Sequence, residues 1–337
     1  NLNGNIEKND IMKILIIRLS SLGDIVLSTP IPRLLKKKFP KSDIHFITKK
    51  DFCSIYNYNI NVDKVIEFND NLFEVISKLK NENYDLIIDL HNNLRSNYIK
   101  FKLGKPSYTY KKQFIKRWLF TNFKIPLRIN HITNSYINCL YKLNIVDDGD
   151  GLDFYIDETS FKKVKALPGI KNNNFTVVIV GAKHFTKRLP PNKLIELCDK
   201  INGPIVLVGG RDEIESSNQI ESFFNYSKAS EVPIKLNKKT KIFNYCGKLS
   251  ISESASVLKL SKMVYSHDTG FMHIAAALNK NLVAIFGSTH PNLGFYPYKT
   301  SFSVIQNNNL DCRPCTKIGL SKCPAGHFKC MTDIKFE

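Results

Sequence analysis

The chain contains no apolar run near the roughly 18 residues that a membrane span requires, and nothing close to Asn1 resembles a signal peptide. A cytoplasmic protein is the expectation. In that compartment the eight cysteines of a 337-residue chain read as reduced thiols, not as a disulfide frame. No G-x-G-x-x-G follows an aliphatic run, which excludes the dinucleotide fingerprint. No D-x-D pair stands at the end of a predicted strand, so neither an acidic metal site nor a cofactor is expected. Internal repeats are lacking too, which removes solenoids and propellers. The last absence is local: no acidic residue occurs between Asp89 and Asp147.

That acid-free interval concentrates the charge. The chain carries a formal net charge of +19. The interval holds Arg95, Lys100, Lys102, Lys105, Lys111, Lys112, Lys116, Arg117, Lys124, Arg128 and Lys142, interleaved with aromatics from Tyr98 to Phe123. Such a stretch suits a polyanion: nucleic acid, anionic lipid headgroups or an acidic glycolipid. The plainer alternative is a solvated face of a lysine-rich protein. Apolar content of 43% otherwise marks a globular chain, long enough for two domains.

Short aliphatic runs alternate with helical stretches, which implies βαβ units and parallel sheets. In the first half, strands are predicted at Met12–Ile17, Ile44–Ile47, Lys64–Ile66 and Asp85–Asp89, with helices over Pro32–Phe39 and Leu72–Asn81. Asp147–Gly151 reads as an acidic interdomain linker. Beyond it, strands are predicted at Thr176–Gly181, Ile205–Gly210, Met263–Tyr265 and Leu282–Gly287, with helices near Asn192–Ile201, Glu213–Phe223 and Ser252–Leu260. Residues 1–10 read as a loose polar extension. The division expected is residues 11–150 and 151–337, two Rossmann-like domains facing each other across a cleft.

Ligands of such sheets bind at the strand C-terminal ends, so the turns there carry the chemistry. Ser266-His267-Asp268-Thr269-Gly270 lies between a strand and a helix. Unpaired N–H groups at that helix start suit a phosphate, and Asp268 suits sugar hydroxyls; an ordinary N-cap is the alternative. The first βα turn, Arg18-Leu19-Ser20-Ser21-Leu22-Gly23-Asp24, sets Asp24 at a helix start with no cation immediately beside it, a plausible general base or a cap. Thr29 and Pro30 read as the cap and first residue of the next helix. The basic loop Gly181-Ala182-Lys183-His184-Phe185-Thr186-Lys187-Arg188 suits an anionic leaving group. Gly209-Gly210-Arg211-Asp212-Glu213 offers an acid for a ribose diol. Cys312, Cys315, Cys323 and Cys330 admit a zinc site, but the second pair is not C-x-x-C, and free or packed thiols are the simpler reading.

Taken together, these motifs resemble glycosyltransferase family 9, the heptosyltransferases. The resemblance rests on ILIIRLSSLGDIVLSTP (Ile14–Pro30), the GAKHFTKRLPP loop, SHDTGFMHIAAAL and the terminal CRPCTKIGLSKCPAGHFKCMTDI, from about Met12 to Ile334. Leu189 stands where the family commonly has Trp, and Lys183 where a small hydroxyl residue is usual. The resemblance implies an inverting, metal-independent enzyme of GT-B architecture, moving heptose from ADP-L-glycero-D-manno-heptose to the lipopolysaccharide inner core at the cytoplasmic face of the inner membrane. It implies Asp24 as catalytic base and Lys187 at the diphosphate. Asp268, Thr269 and Gly270 would hold the donor, with Lys183 and His273 beside them and Glu213, or Glu215, at the ribose. Lys111, Lys112, Lys116 and Arg117 are the candidates for an acidic, lipid-anchored acceptor. A different donor or a later core acceptor is the alternative within the class. A nucleic-acid-binding protein is disfavoured, because it leaves Asp24 and the Asp268 turn unexplained.

Overall fold

A computed structural model describes residues 11–171, 173–226 and 240–336. Residues 1–10, read above as a polar extension, lie outside the described residues. The chain divides into two compact units. One comprises the residues up to Gln113 together with Asn130–Tyr155; the other comprises Phe114–Ile129 and Ile156–Glu337. Two expectations change here. The turn at Asp147–Gly151 is no free linker, because Arg33 takes Asp148 through two bonds of 2.9 and 3.0 Å and also pairs with Asp153. The segment Phe114–Ile129, in the middle of the first half, belongs to the second unit.

The first unit is built on a parallel sheet of β1 (Lys13–Ile17), β2 (Asp43–Lys49), β3 (Lys64–Phe68), β4 (Leu86–Asp89) and β5 (Ser107–Thr109), in the order β3-β2-β1-β4-β5. Ile14, Leu15, Ile16 and Ile17 of β1 are all 0% exposed. Burying each contributes roughly 1.5–3 kcal/mol, which explains why this central strand is an unbroken aliphatic run. Its helices are α1 (Leu22–Val26), α2 (Pro30–Lys38), α3 (Leu72–Asn81) and α4 (Leu94–Leu103). Val75, Ile76 and Leu79 of α3 meet Ile99 of α4, Leu15 and Ile17 in one core. Thr29 does precede α2, but its hydroxyl donates to the Val26 carbonyl at 2.7 Å instead of capping the helix.

In the second unit, α5 (Phe114–Phe123) comes from the displaced segment, and α6 (Ile132–Ile137) returns the chain to the first unit. The second sheet holds β6 (Thr176–Ile179), β7 (Pro204–Val208), β8 (Lys241–Asn244), β9 (Met263–His267), β10 (Leu282–Phe286) and β11 (Phe302–Gln306), all parallel, in the order β11-β10-β9-β6-β7-β8. Around it lie α7 (Glu158–Lys165), α8 (Pro191–Lys200), α9 (Ile214–Tyr226), α10 (Ile251–Leu260), α11 (Gly270–Ala277) and α12 (Lys329–Thr332). Each sheet reverses its winding once, between β1 and β4 and between β6 and β9. A doubly wound sheet opens its ligand crevice at that reversal.

Candidate active site

The turns leaving β1 and β4 meet at the first reversal. Ser21 caps α1, and Asp24, three residues on, returns a bond to the cap, so the carboxylate is oriented by its own helix start. Its Oδ2 accepts from Ser21 Oγ at 2.8 Å and lies 2.7 Å from the Arg18 guanidinium. Tyr136 on α6 donates to Oδ1 at 3.3 Å. The expectation of no adjacent cation is therefore corrected: Arg18, six residues earlier, turns back over the mouth of β1. Burial alone would push the Asp24 carboxyl up; Arg18 and the Ser21 donors outweigh it and hold it below the usual carboxylate range.

Arg18 is itself buried and donates to the Leu90 carbonyl at 2.6 Å, tying β1 to the turn after β4. That turn is held by Asp89, fully buried, whose carboxylate accepts the backbone N–H groups of His91 and Asn92 at 2.9 and 2.8 Å. Ser96 Oγ at 3.0 Å and Lys100 at 2.7 Å complete its shell. His91 stands at this reversal in the field of Arg18, Asp24 and Asp89. Burial first, then Arg18, lower its imidazole to about 4, so the ring is neutral near pH 7. Arg18, Tyr136 and His91 were missed as site residues. The available signal for His91 was its position just past a predicted strand.

At the second reversal the loop after β6 meets the turn after β9. Lys187 Nζ lies 2.7 Å from Asp268 Oδ2 and 3.2 Å from the Asp268 carbonyl. Thr289 Oγ1, past β10, donates to the same Oδ2 at 2.8 Å. Asp268 is buried, so the pair is largely withdrawn from solvent. Thr269 caps α11 by position with no side-chain bond, which leaves the N–H groups of the first turn without that hydroxyl. His273 is buried on α11. The neutral ring of His267, fully buried and lowered to about 4 by that burial, accepts the Leu189 N–H at 3.0 Å and fixes the basic loop against β9.

The remaining candidates are placed as follows. Lys183 is exposed on the basic loop. Glu213 is buried; its Oε2 accepts the Gly210 N–H at 2.8 Å and its Oε1 lies 3.4 Å from Arg188. A Cβ at Gly181 would overlap the Glu213 side chain, so glycine is what lets that carboxylate close over the loop. Glu213 is thus a brace between two loops, and Glu215, exposed at the start of α9, is the more accessible carboxylate. Lys111 and Lys112 are exposed in the first unit and Lys116 in the second. Arg117 requires a correction: it is buried, donates to the Leu293 carbonyl at 3.0 Å and lies 4.8 Å from the Phe295 ring centre. All eight cysteines are unbridged, and no group of three His, Cys, Asp or Glu positioned to hold a metal occurs among the described residues.

Two Rossmann-like sheets, one with an oriented carboxylate and the other with a Lys–Asp pair beside a helix start, each at its own reversal, define a GT-B glycosyltransferase. The chain belongs to glycosyltransferase family 9 (heptosyltransferase), whose model matches residues 72–324. It is 27% identical over 318 residues to lipopolysaccharide heptosyltransferase 1 of Campylobacter coli, covering 89% of each chain. Lipooligosaccharide heptosyltransferase 2 of Haemophilus ducreyi is 26% identical over 83% of this chain and 85% of its own. Among solved structures, the family 9 glycosyltransferase of Veillonella parvula superposes with a TM-score of 0.72 at 22% identity, covering 89% of this chain and 87% of that one. ADP-heptose lipopolysaccharide heptosyltransferase II of E. coli gives 0.68 at 20% identity over 94% and 97%.

Proposed function

We propose that this glycosyltransferase moves heptose from ADP-L-glycero-D-manno-heptose to the inner core of lipopolysaccharide, with inversion and without a metal ion. The observation that carries the reading is the Lys187–Asp268–Thr289 set beside the start of α11. The lipopolysaccharide heptosyltransferase relatives supply the donor and acceptor class. Asp24 takes the proton of the acceptor hydroxyl as its oxygen bonds to the anomeric carbon; the bond from that carbon to the diphosphate oxygen breaks on the opposite face, and ADP leaves. Lys187 and the first-turn N–H groups at Thr269 and Gly270 meet the charge that builds on the diphosphate. Asp268 holds sugar hydroxyls, Lys183 and His273 flank the donor, and Glu215 takes the ribose in preference to the braced Glu213.

The acceptor is proposed to be acidic and lipid-anchored, met by Lys111, Lys112 and Lys116 at the cytoplasmic face of the inner membrane. Among the described residues no helix is long and apolar enough to cross a membrane. Within the acid-free interval Arg95 pairs with Asp70 at 2.8 Å and Lys100 with Asp89 at 2.7 Å. The test is ADP release and product mass with ADP-heptose and purified inner-core acceptors in excess EDTA. Transfer under those conditions is expected. Turnover of a different nucleotide sugar alone would replace the donor, and rescue only by Mg²⁺ or Mn²⁺ would overturn the metal-free mechanism.

A further inference from the structure

Helix α5 is inverted with respect to water. Its inward residues are Arg117 and Phe120, the latter packed edge-on against His290 with ring centres 5.5 Å apart. Its outward residues are apolar: Ile115 is 70% exposed, Phe123 60% and Trp118 47%. Trp118 and Phe123 contact edge to face at 5.3 Å, so they form one surface and not scattered side chains. Lys317 lies 4.5 Å over the Phe114 ring, and Ile318 and Leu320, which follow it in the chain, are exposed. Lys124 anchors the end of the helix to the same segment through the Pro314 carbonyl at 2.7 Å. The two segments that build this face, residues 114–129 and 312–332, contain no Asp or Glu. Lys116, Arg128, Lys317 and Lys322 are exposed within them.

An apolar ridge with an aromatic pair and a rim of cations free of acids matches one kind of partner chemically. Trp sits favourably at the depth of lipid headgroups, aliphatic side chains enter the acyl boundary, and lysines meet anionic phosphate. We propose that the outer face of α5, with the neighbouring 317–320 segment, docks on the surface of an anionic lipid bilayer. The proposal deepens the reading above, in which the acceptor is lipid-anchored: docking would hold the enzyme where that acceptor resides.

Trp118 is the only tryptophan in the chain, so its emission reports on this face without a label. The intact protein is titrated with phosphatidylcholine vesicles and with phosphatidylcholine vesicles containing phosphatidylglycerol. The anionic vesicles are expected to shift Trp118 emission to the blue and shield it from acrylamide, and high salt should reverse much of the effect. Ile115→Asp and Phe123→Asp should each weaken vesicle binding roughly tenfold or more. Both residues are exposed, so the thermal midpoint and ADP affinity should stay at wild-type values. Emission and quenching that ignore anionic vesicles would overturn the proposal, as would a shift produced by an oligonucleotide and not by vesicles. Heptose transfer to a delipidated acceptor separates the two readings. Transfer with an unresponsive Trp118 removes the docking face alone; a responsive Trp118 without transfer supports docking and removes the heptosyltransfer reading alone.

Discussion

The Arg18 guanidinium holds the Asp24 carboxylate at 2.7 Å while donating to the Leu90 carbonyl at 2.6 Å. One buried cation thereby fixes the proposed base and ties the mouth of β1 to that of β4. Asp24→Asn keeps the size of the side chain and removes its basicity. Turnover should fall about 10²–10⁴-fold, the usual cost of losing a general base, while ADP affinity, proposed to reside in the other unit, should stay unchanged. Near-normal turnover would remove Asp24 from the mechanism.

The same pair sets a pH dependence. The Asp24 carboxyl is held below its ordinary 3.8, so the active, ionised form is present above that value and is lost only as pH falls through the depressed one. The acidic limb of kcat/KM attributable to Asp24 should lie below the usual carboxylate range. In Arg18→Met the burial that pushes the carboxyl up is no longer opposed by the cation, and the limb should move to higher pH. A limb that stays in place would dissociate the rate from this ion pair.

Lys187→Ala should weaken ADP binding roughly 10–100-fold, the worth of about 1.5–3 kcal/mol for a charge-assisted bond. It also leaves the buried Asp268 carboxylate with Thr289 Oγ1 on one oxygen and no cation, so stability should drop as well. The double variant Lys187→Ala/Asp268→Asn separates the effects: the thermal midpoint should recover and ADP affinity should not. Calorimetry that finds wild-type affinity in Lys187→Ala would place this lysine outside the donor site.

What the sequence discloses follows from which contacts are local. The central strands are aliphatic runs because both faces of a parallel sheet are covered, and β1, β6 and β10 were readable for that reason. Helix α4 was not: Ser96 and Ile99 are its buried residues, while Leu94 and Phe101 point into solvent, so no apolar stripe marks it. Helix α5 hides for a related reason, since its apolar face is the outer one. The edge strands β5, β8 and β11 are short or polar. Within the site, Asp24, Lys187 and Asp268 stand at strand ends and are visible from the chain. Their partners are not: Thr289 is 21 residues from Asp268 and Tyr136 is 112 from Asp24, and only the order of the strands brings them together.

His267 gives the second unit an acid sensitivity. Its ring has an ordinary value of 6.5 and is lowered to about 4 by burial in the folded unit. A depressed folded value means that the unfolded chain binds more protons between these limits. Stability is therefore fully present above pH 6.5 and is lost as pH falls toward 4. Urea midpoints at intervals across that window should fall in the wild type and fall less in His267→Gln, whose amide oxygen replaces Nε2 as acceptor for the Leu189 N–H. Parallel curves for the two proteins would assign the acid loss to other groups.

Arg117 and its lysine neighbours must be tested apart, because the fold gives them different work. Arg117 donates to the Leu293 carbonyl and covers the Phe295 ring, so Arg117→Ala removes a buried bond and its packing. A stability loss of about 1–3 kcal/mol is expected, read as a lower urea midpoint. Lys111, Lys112 and Lys116 are exposed, and neutralising them together should leave the midpoint nearly unchanged. Their proposed role is the acidic acceptor, so the triple variant should raise acceptor KM while ADP affinity holds. Added salt should produce a similar rise in the wild type, since exposed charges beyond about 8–10 Å are screened at physiological ionic strength. Acceptor kinetics and ADP titration on the triple variant decide the matter. An unmoved KM reduces the three lysines to a solvated face, and a collapse of ADP binding would move them from the proposed acceptor site to the donor site.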